Sequence, residues 1–303
     1  MRAVAFSTFG GPEVLELAER PDPHAGPGQV RIRAHASGVA PVDLGLRSGT
    51  TPMAKSLALP HIPGVDAAGV VDEIGDGVTG VAVGDEVFGS VDIRTLGGAN
   101  ADLVVLANWA ARPASLPVDQ AGAAGTAIET ATRALDLLDL AEGMRLVVDG
   151  ASGGVGSVAV QLAVARGVEV VGTASSSGHA FLESLGAIGV AYGAGLIDRV
   201  GAADRALHVS GSGSLPELIE LTGSADSVVT IADYTASALG VRMSVGELGG
   251  QATGWYGLAV AADLADAGRF RIPLEAVFPL ERASEAHTLA SSGARQGKIA
   301  LVN

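Results

Sequence analysis

The chain has 303 residues, enough for about two domains with full-sized cores. Hydrophobic residues make up 48% and charged ones 17%, with a mean hydropathy of +0.38, so burial can offset chain entropy and a disordered polymer is excluded. Acidic residues outnumber basic ones 33 to 19, a net charge of −14 that disfavours nucleic acid and anionic membranes, and the lack of cysteine excludes disulfides, thiolate catalysis and cysteine-containing zinc sites.

In chain order, the opening Met1–Ser7 carries too short an apolar run for a signal peptide. No run of about 18 apolar residues escapes charges or clustered glycines, so a cytoplasmic protein is expected. From Arg2 to about Pro117 the pattern is short β-branched runs, among them 30–34, 69–74, 86–89 and 102–105, broken by Gly, Pro and Asp. Such spacing predicts an antiparallel barrel or sandwich. Beyond Pro117 the period changes, and 118–140 reads as one long helix with Ile128, Ala131, Leu135 and Leu138 on one face. Strands are then predicted at 146–148, 168–172, 205–209 and 227–231, alternating with helices such as 156–165 and 179–185. That alternation predicts a doubly wound parallel sheet with helices on both faces. After an amphipathic helix near 258–267, short strands at 271–274 and 298–302 are expected to rejoin the first domain. The predicted class is α/β, with one domain from 1–118 and 265–303 and a second from 119–264.

The strongest site signal is the turn after the strand 146–148, Asp149-Gly150-Ala151-Ser152-Gly153-Gly154-Val155-Gly156-Ser157. A Gly-rich strand-to-helix turn lets backbone approach a pyrophosphate and aims free helical N–H groups at it. Ser152, Gly153, Gly154 and Val155 are the predicted contacts, with Ala151 standing where the fingerprint's first glycine belongs. The alternative is a glycine turn that only permits tight helix–strand packing. About 20 residues further on, NAD sites place Asp or Glu on the ribose. Here the strand ends in Thr173-Ala174-Ser175-Ser176-Ser177, while Glu169 lies at the wrong end. Thr173, Ser175 and Ser176 offer hydroxyl donors and nothing there repels a 2′-phosphate, which favours NADPH. Alternatively, the serines form the polar start of a helix.

Four stretches together carry a family resemblance: Leu59-Pro60-His61-Ile62-Pro63-Gly64-Val65-Asp66-Ala67-Ala68-Gly69-Val70-Val71, Gly84-Asp85-Glu86-Val87-Phe88-Gly89, the turn with Gln161-Leu162-Ala163, and Gly297-Lys298-Ile299. In that order they resemble the zinc-independent quinone oxidoreductase branch of the medium-chain dehydrogenase/reductases. The resemblance spans nearly the whole chain. It implies a GroES-like barrel from both chain ends, a Rossmann domain between them, NADPH in the cleft and a homodimer. Zinc-dependent relatives carry a ligand Cys near the position of Asp43 and Gly-His-Glu where this chain has Gly64-Val65-Asp66. With Ala40 and Val65 in those regions, no metal site can be assembled on that template. Without a Lewis acid the expected acceptor is an activated one, a quinone or an α,β-unsaturated carbonyl.

The resemblance also nominates site residues. It places Asp43, Arg47 and His61 at the acceptor, and Thr130 beside the nicotinamide. Val209 and Ser210, and Ile231 with Ala232, follow strands whose carboxyl ends face ligands in doubly wound sheets. Each lining candidate has a plainer reading: Asp43 as a helix cap, Arg47 as a surface ion pair, His61 as a loop residue, Thr130 as an ordinary helix position. Lys298 reads as structural, given its distance from the turn. The family's Gly-Val-Asn-Pro-Val-Asp loop is Gly38-Val39-Ala40-Pro41-Val42-Asp43 here, and a frequent Tyr before Arg47 is missing. Those losses keep a nucleotide-binding sensor without turnover and a non-redox cyclase open as rivals, and within the enzyme class the runner-up is an enoyl or alkenal double-bond reductase.

Overall fold

The computed structural model describes residues 1–293 and 296–303, and the chain forms two compact units. Of the described residues, one comprises 1–126, 258–293 and 298–303, the other 127–257 with 296–297. Residues 294 and 295, inside the expected carboxyl-terminal part of the first domain, lie outside the described residues.

The first unit begins with an antiparallel pair, β1 (Arg2–Ala5) and β2 (Glu16–Glu19). It continues through β3 (Val30–Val39), α1 (Pro41–Ser48), β4 (Asp66–Ile74), β5 (Glu86–Ser90), β6 (Leu103–Leu106), β7 (Asn108–Ala111) and α2 (Val118–Gly122). α3 (Gly125–Leu137) leads into the second unit, which alternates β8 (Arg145–Asp149), α4 (Gly154–Ala165), β9 (Glu169–Ala174), α5 (His179–Glu183), β10 (Ile188–Ala191), α6 (Leu196–Val200), β11 (Arg205–His208), α7 (Leu215–Thr222), β12 (Val228–Thr230) and β13 (Arg242–Met243). The chain returns to the first unit through α8 (Gly257–Asp266), β14 (Leu274–Pro279), α9 (Ala283–Ser291) and β15 (Lys298–Val302).

In the first unit the order β14-β15-β3-β4-β5-β7, with β6 also on β3, makes a seven-stranded sheet in which β15 pairs antiparallel with β3. Both chain ends thus build one barrel around Val30, Ile32, Val65, Val71, Val87 and Leu106, as the GroES-like expectation required. The second unit is a wholly parallel sheet, order β10-β9-β8-β11-β12-β13. From β8 the chain winds outward through β9 and β10, then crosses to β11 and winds the other way. This is the doubly wound arrangement, with its switch point between the carboxyl ends of β8 and β11.

The strand expected at 271–274 begins only at Leu274, as β14, because Pro273 has no N–H to give a ladder, and β10 has no counterpart among the predicted strands. A third element also differs from its predicted form. The long helix expected over 118–140 is two helices, broken between Gly122 and Gly125. The break follows from close backbone approach. A Cβ on Gly122 would lie 2.6 Å from the Ala36 carbonyl carbon, and one on Gly125 would lie 2.5 Å from the Gly89 carbonyl oxygen. Both glycines let the chain press against β3 and β5, and glycine is also a poor helix former.

Gly125→Ala should therefore cost roughly 1–3 kcal/mol by overpacking, whereas Gly77→Ala, at φ +78° with open space around it, costs only about 1 kcal/mol of backbone strain. Urea denaturation measures both, and a Gly125→Ala midpoint equal to wild type would refute the close approach.

Candidate functional site

The Gly-rich turn lies at the switch point. Gly150 follows β8 at φ +88°, and a Cβ there would stand 2.9 Å from the Ser210 nitrogen. Gly150 therefore performs the tight-turn duty that the fingerprint assigns to its first glycine, leaving Ala151 free of it. Ala151 is buried, and Gly172 of β9 makes room, since a Cβ on Gly172 would lie 2.7 Å from that of Ala151. Gly156 lets α4 close onto the turn, where a Cβ would meet the Gly150 oxygen at 2.2 Å.

Gly153 is the N-cap of α4, and among the described residues no side chain caps the helix. Ser157 is the first residue to bond back, to the Gly153 oxygen at 2.9 Å, so the N–H groups of Gly154, Val155 and Gly156 precede the helical ladder. A Cβ built on Gly153 would meet the Gly150 oxygen at 3.5 Å, an ordinary contact, and no other atom of the described residues within 4 Å. The predicted contacts 152–155 thus form a bare, donor-rich cradle suited to a diphosphate. Gly297 flanks it, donating to the Ser152 oxygen at 2.8 Å and bridging to Gly153. The long sequence separation of the carboxyl-terminal motif from the turn is closed in space. Lys298 itself is buried, with Nζ 3.7 Å from the Asp66 carboxylate.

Sequence reasoning passed over Asp149, a buried acid at the tip of β8. Its Oδ1 accepts the Thr173 hydroxyl at 2.6 Å, and its Oδ2 accepts those of Ser210, Ser212 (3.1 Å) and Ser214 (2.7 Å). Burial by itself pushes this carboxyl up, but the hydroxyls of Ser210, Thr173, Ser214 and Ser212 outweigh it and hold Asp149 below the ordinary carboxylate range. Two residues predicted to touch the cofactor, Thr173 and Ser210, therefore turn their hydroxyls to Asp149. Ser175 and Ser176, just past β9, are exposed, and the Ser175 hydroxyl shares a hydrogen bond with that of Ser177 at 3.0 Å. Glu169 sits at the opposite end of β9, paired with Arg145 at 3.2 Å.

The loops after β11 and β12 adjoin: a Cβ on Gly211 would lie 3.7 Å from that of Ala232. The Thr230 hydroxyl oxygen accepts from Ala232 N at 3.1 Å and Asp233 N at 3.2 Å, and shares a hydrogen bond with His208 Nδ1 at 2.8 Å. Burial lowers the His208 pKa, opposed by the charges of Asp149 and Asp233. Val209 bonds back to the Asp149 carbonyl at 2.9 Å, and Ile231 to that of His208 at 3.1 Å. On α3, the Thr130 hydroxyl donates to Glu129 at 3.2 Å, and Glu129 forms a buried pair with Arg133 at 2.9 Å.

Among the described residues no hydrogen bond joins any two of Asp43, Arg47 and His61 in the first unit. Asp43 is fully buried, accepting from Ala40 N at 2.8 Å and Gly64 N at 2.9 Å. Burial raises its pKa to about 6 against those two N–H groups, with Asp66 adding to the rise and Lys298 opposing it. Asp66 accepts Thr126 N at 2.6 Å and the Thr126 hydroxyl at 2.7 Å, and burial raises it too. Arg47 is buried at the end of α1, so it makes no surface ion pair. Its Nε and Nη1 have no partner among the described residues, and burial lowers its pKa. His61 is half-buried, with Nε2 3.0 Å from the Leu96 oxygen and its ring edge on Phe6; burial lowers its pKa against that carbonyl. Near Arg47 sits a further buried histidine, His287, whose ring nitrogens have no partner among the described residues.

With this geometry in place, comparisons with known proteins agree on the chain's kinship. Residues 26–118 match the Alcohol dehydrogenase GroES-like domain and 197–301 the Zinc-binding dehydrogenase family. The quinone oxidoreductase of Rattus norvegicus is 41% identical over 184 residues, covering 58% of this chain and 53% of that protein. An NADPH-dependent alkenal/one oxidoreductase of Arabidopsis thaliana is 34% identical over 198 residues, 62% of this chain and 51% of that one. The chain thus spans about half the length of the curated relatives it matches. The solved quinone oxidoreductase of Coxiella burnetii superimposes with a TM-score of 0.87 at 28% identity, covering 100% of this chain and 99% of that one.

His287 sets an acid limit on stability. Burial first, then Arg47, pushes it down to about 3 from an ordinary 6.5. Because its folded value is the lower one, its contribution is whole above pH 6.5 and is lost as pH falls toward 3. Between pH 6.5 and pH 4 wild type should lose about 3 kcal/mol more than His287→Leu, measured by urea unfolding at both pH values; equal losses would place His287's proton elsewhere.

Proposed function

We propose that this chain, which belongs to the quinone oxidoreductase branch of the medium-chain dehydrogenase/reductases, is an NADPH-dependent reductase of quinones or α,β-unsaturated carbonyls that works without zinc. The observation that carries the reading is the first turn of α4, whose N–H groups precede the helical ladder with no side-chain cap among the described residues. There the N–H groups of Gly154, Val155 and Gly156 would bind the diphosphate, assisted by the positive end of the helix dipole. Ser175 and Ser176, exposed and in a segment 173–177 that carries no Asp or Glu, would donate to the 2′-phosphate. Thr130, its hydroxyl already oriented by Glu129 and Arg133, is the candidate on α3 for orienting the nicotinamide amide. When bound, the nicotinamide supplies the hydride, and the protein's part is positioning and exclusion of water.

Zinc is left out on donor chemistry. The chain has no cysteine, and the described residues hold no group of three or more His, Asp or Glu able to chelate an ion. An unactivated ketone would then lack polarisation, which favours conjugated acceptors. Asp43, Arg47 and His61 remain the first unit's lining candidates. Asp43 holds backbone N–H groups with both oxygens, Arg47 is buried and His61 faces the Leu96 carbonyl, so this reading takes the final proton from solvent. The similarity to an alkenal/one oxidoreductase keeps enones level with quinones as acceptors. The same reading includes a homodimer in the cytoplasm; among the described residues no helix is long and apolar enough to cross a membrane.

Absorbance decay of NADPH with a panel of 1,4-quinones and enones tests turnover and ranks the two classes. Tight nucleotide binding with no oxidation by any acceptor would favour a sensor. Calorimetry should give clearly tighter binding for NADPH than for NADH, and equal affinities would overturn the cofactor choice. Ser175→Asp should weaken NADPH by at least about tenfold through like-charge repulsion while improving NADH. If both affinities stay as they were, these hydroxyls do not read the ribose.

A further inference from the structure

A buried acid in the mouth of a parallel sheet needs a reason, because a carboxylate out of water is costly unless donors surround it. Asp149 is 1% exposed and its donors come from two directions: Thr173 on the adjacent strand β9, and three hydroxyls of the loop that follows β11. That loop reads Val209-Ser210-Gly211-Ser212-Gly213-Ser214. Gly211 at φ +66° and Gly213 at φ +80° curl it, so that alternate serines face the same carboxylate oxygen. Side-chain bonds of this charge-assisted kind are the stronger ones. The Ser210 end of the loop lies directly on the turn, 2.9 Å from where a Gly150 Cβ would be.

We infer that Asp149 is a positioning residue for the dinucleotide, clamping the loop 209–214 against the Gly-rich turn through Ser210, Ser212 and Ser214 while Thr173 fixes its other oxygen. The inference rests on the nucleotide-binding reading of the turn. The serine hydroxyls are committed inward, so the loop's contribution to the ligand is its place and its backbone. Loop order is thereby settled before the ligand arrives, which removes an ordering cost from binding.

Hydrogen–deuterium exchange of the 209–214 amides in nucleotide-free protein, paired with NADPH calorimetry, tests the clamp. In Asp149→Ala these amides should exchange at least about tenfold faster while α4 keeps its protection, and the NADPH Kd should rise about tenfold. The KM for NADPH should rise with kcat at saturation retained, a split that general destabilisation would not produce. Asp149→Asn, which keeps an acceptor oxygen, should fall between the two. Ser212→Ala/Ser214→Ala removes two donors without burying anything; it should loosen the loop in wild type and add nothing in the Asp149→Ala background. Unchanged exchange in Asp149→Ala, or in the double serine variant should Asp149→Ala not fold, overturns the clamp. Faster exchange with unchanged Kd overturns its role in positioning. A wild-type protein that binds no NADPH defeats the nucleotide reading instead, and the exchange arms then judge the clamp alone.

Discussion

A helix end without a cap is the constraint on which the second unit turns. Backbone N–H groups must find acceptors, and most helices supply one from a Ser, Thr, Asp or Asn at the N-cap. α4 has Gly153 there, and its first turn is left to solvent or ligand. The arrangement needs Gly156, where a Cβ would meet the Gly150 oxygen at 2.2 Å, to let the helix close on the turn, and Gly150, where one would stand 2.9 Å from the Ser210 nitrogen, to let the turn close on the loop after β11. Remove either closeness and the N–H groups no longer converge on one place. The parallel order of β8 and β11 then puts that place at the sheet's switch point, where the fold is open.

The chain's strong negative charge does not oppose an anionic ligand at this point, because fields from distant surface charges are screened beyond about 10 Å while near donors are not. More telling are the acids buried inside, each of which has its own solvation. Asp43 has the backbone N–H groups of Ala40 and Gly64, Asp66 has Thr126 and Lys298, and Asp149 has four hydroxyls. The difference in donors decides the difference in titration. Asp43, with two peptide donors against full burial, is raised, whereas the four hydroxyls bring Asp149 down.

Much of the fold was legible in local pattern. Apolar strands, an intervening helix period and glycine punctuation located β8, α4, β9, β11 and β12 within a few residues, and the return of the chain end to the barrel followed from its short strands. The break between α2 and α3 was not legible, since the reason for Gly122 and Gly125 is backbone of β3 and β5 far away in sequence. β10 was missed for a similar cause: Gly189 interrupts its pattern, yet a Cβ there would lie 2.8 Å from the His179 Cα. At the site the turn was readable because its chemistry is local. Thr173 and Ser210 were placed on the right strand ends, but their hydroxyl direction depends on Asp149, which pattern reading took as part of the strand-to-turn junction. An acid ending an otherwise apolar strand, followed later by a Ser-Gly-Ser-Gly-Ser loop, was the available signal.

Hydroxyls around the switch point therefore fall into two sets with different work. The inner set, Thr173 with Ser210, Ser212 and Ser214, is saturated by one carboxylate and can hold backbone in place but has no proton left for a ligand. The outer set, Ser175 and Ser176, is exposed, and the Ser175 hydroxyl shares a hydrogen bond with that of Ser177 and, among the described residues, none with the carboxylate. On the proposed reading, nucleotide choice and loop order would therefore rest on different residues. On that reading, a substitution in the outer set would change which nucleotide is preferred without loosening the loop, and one in the inner set would loosen the loop without changing which ribose is read.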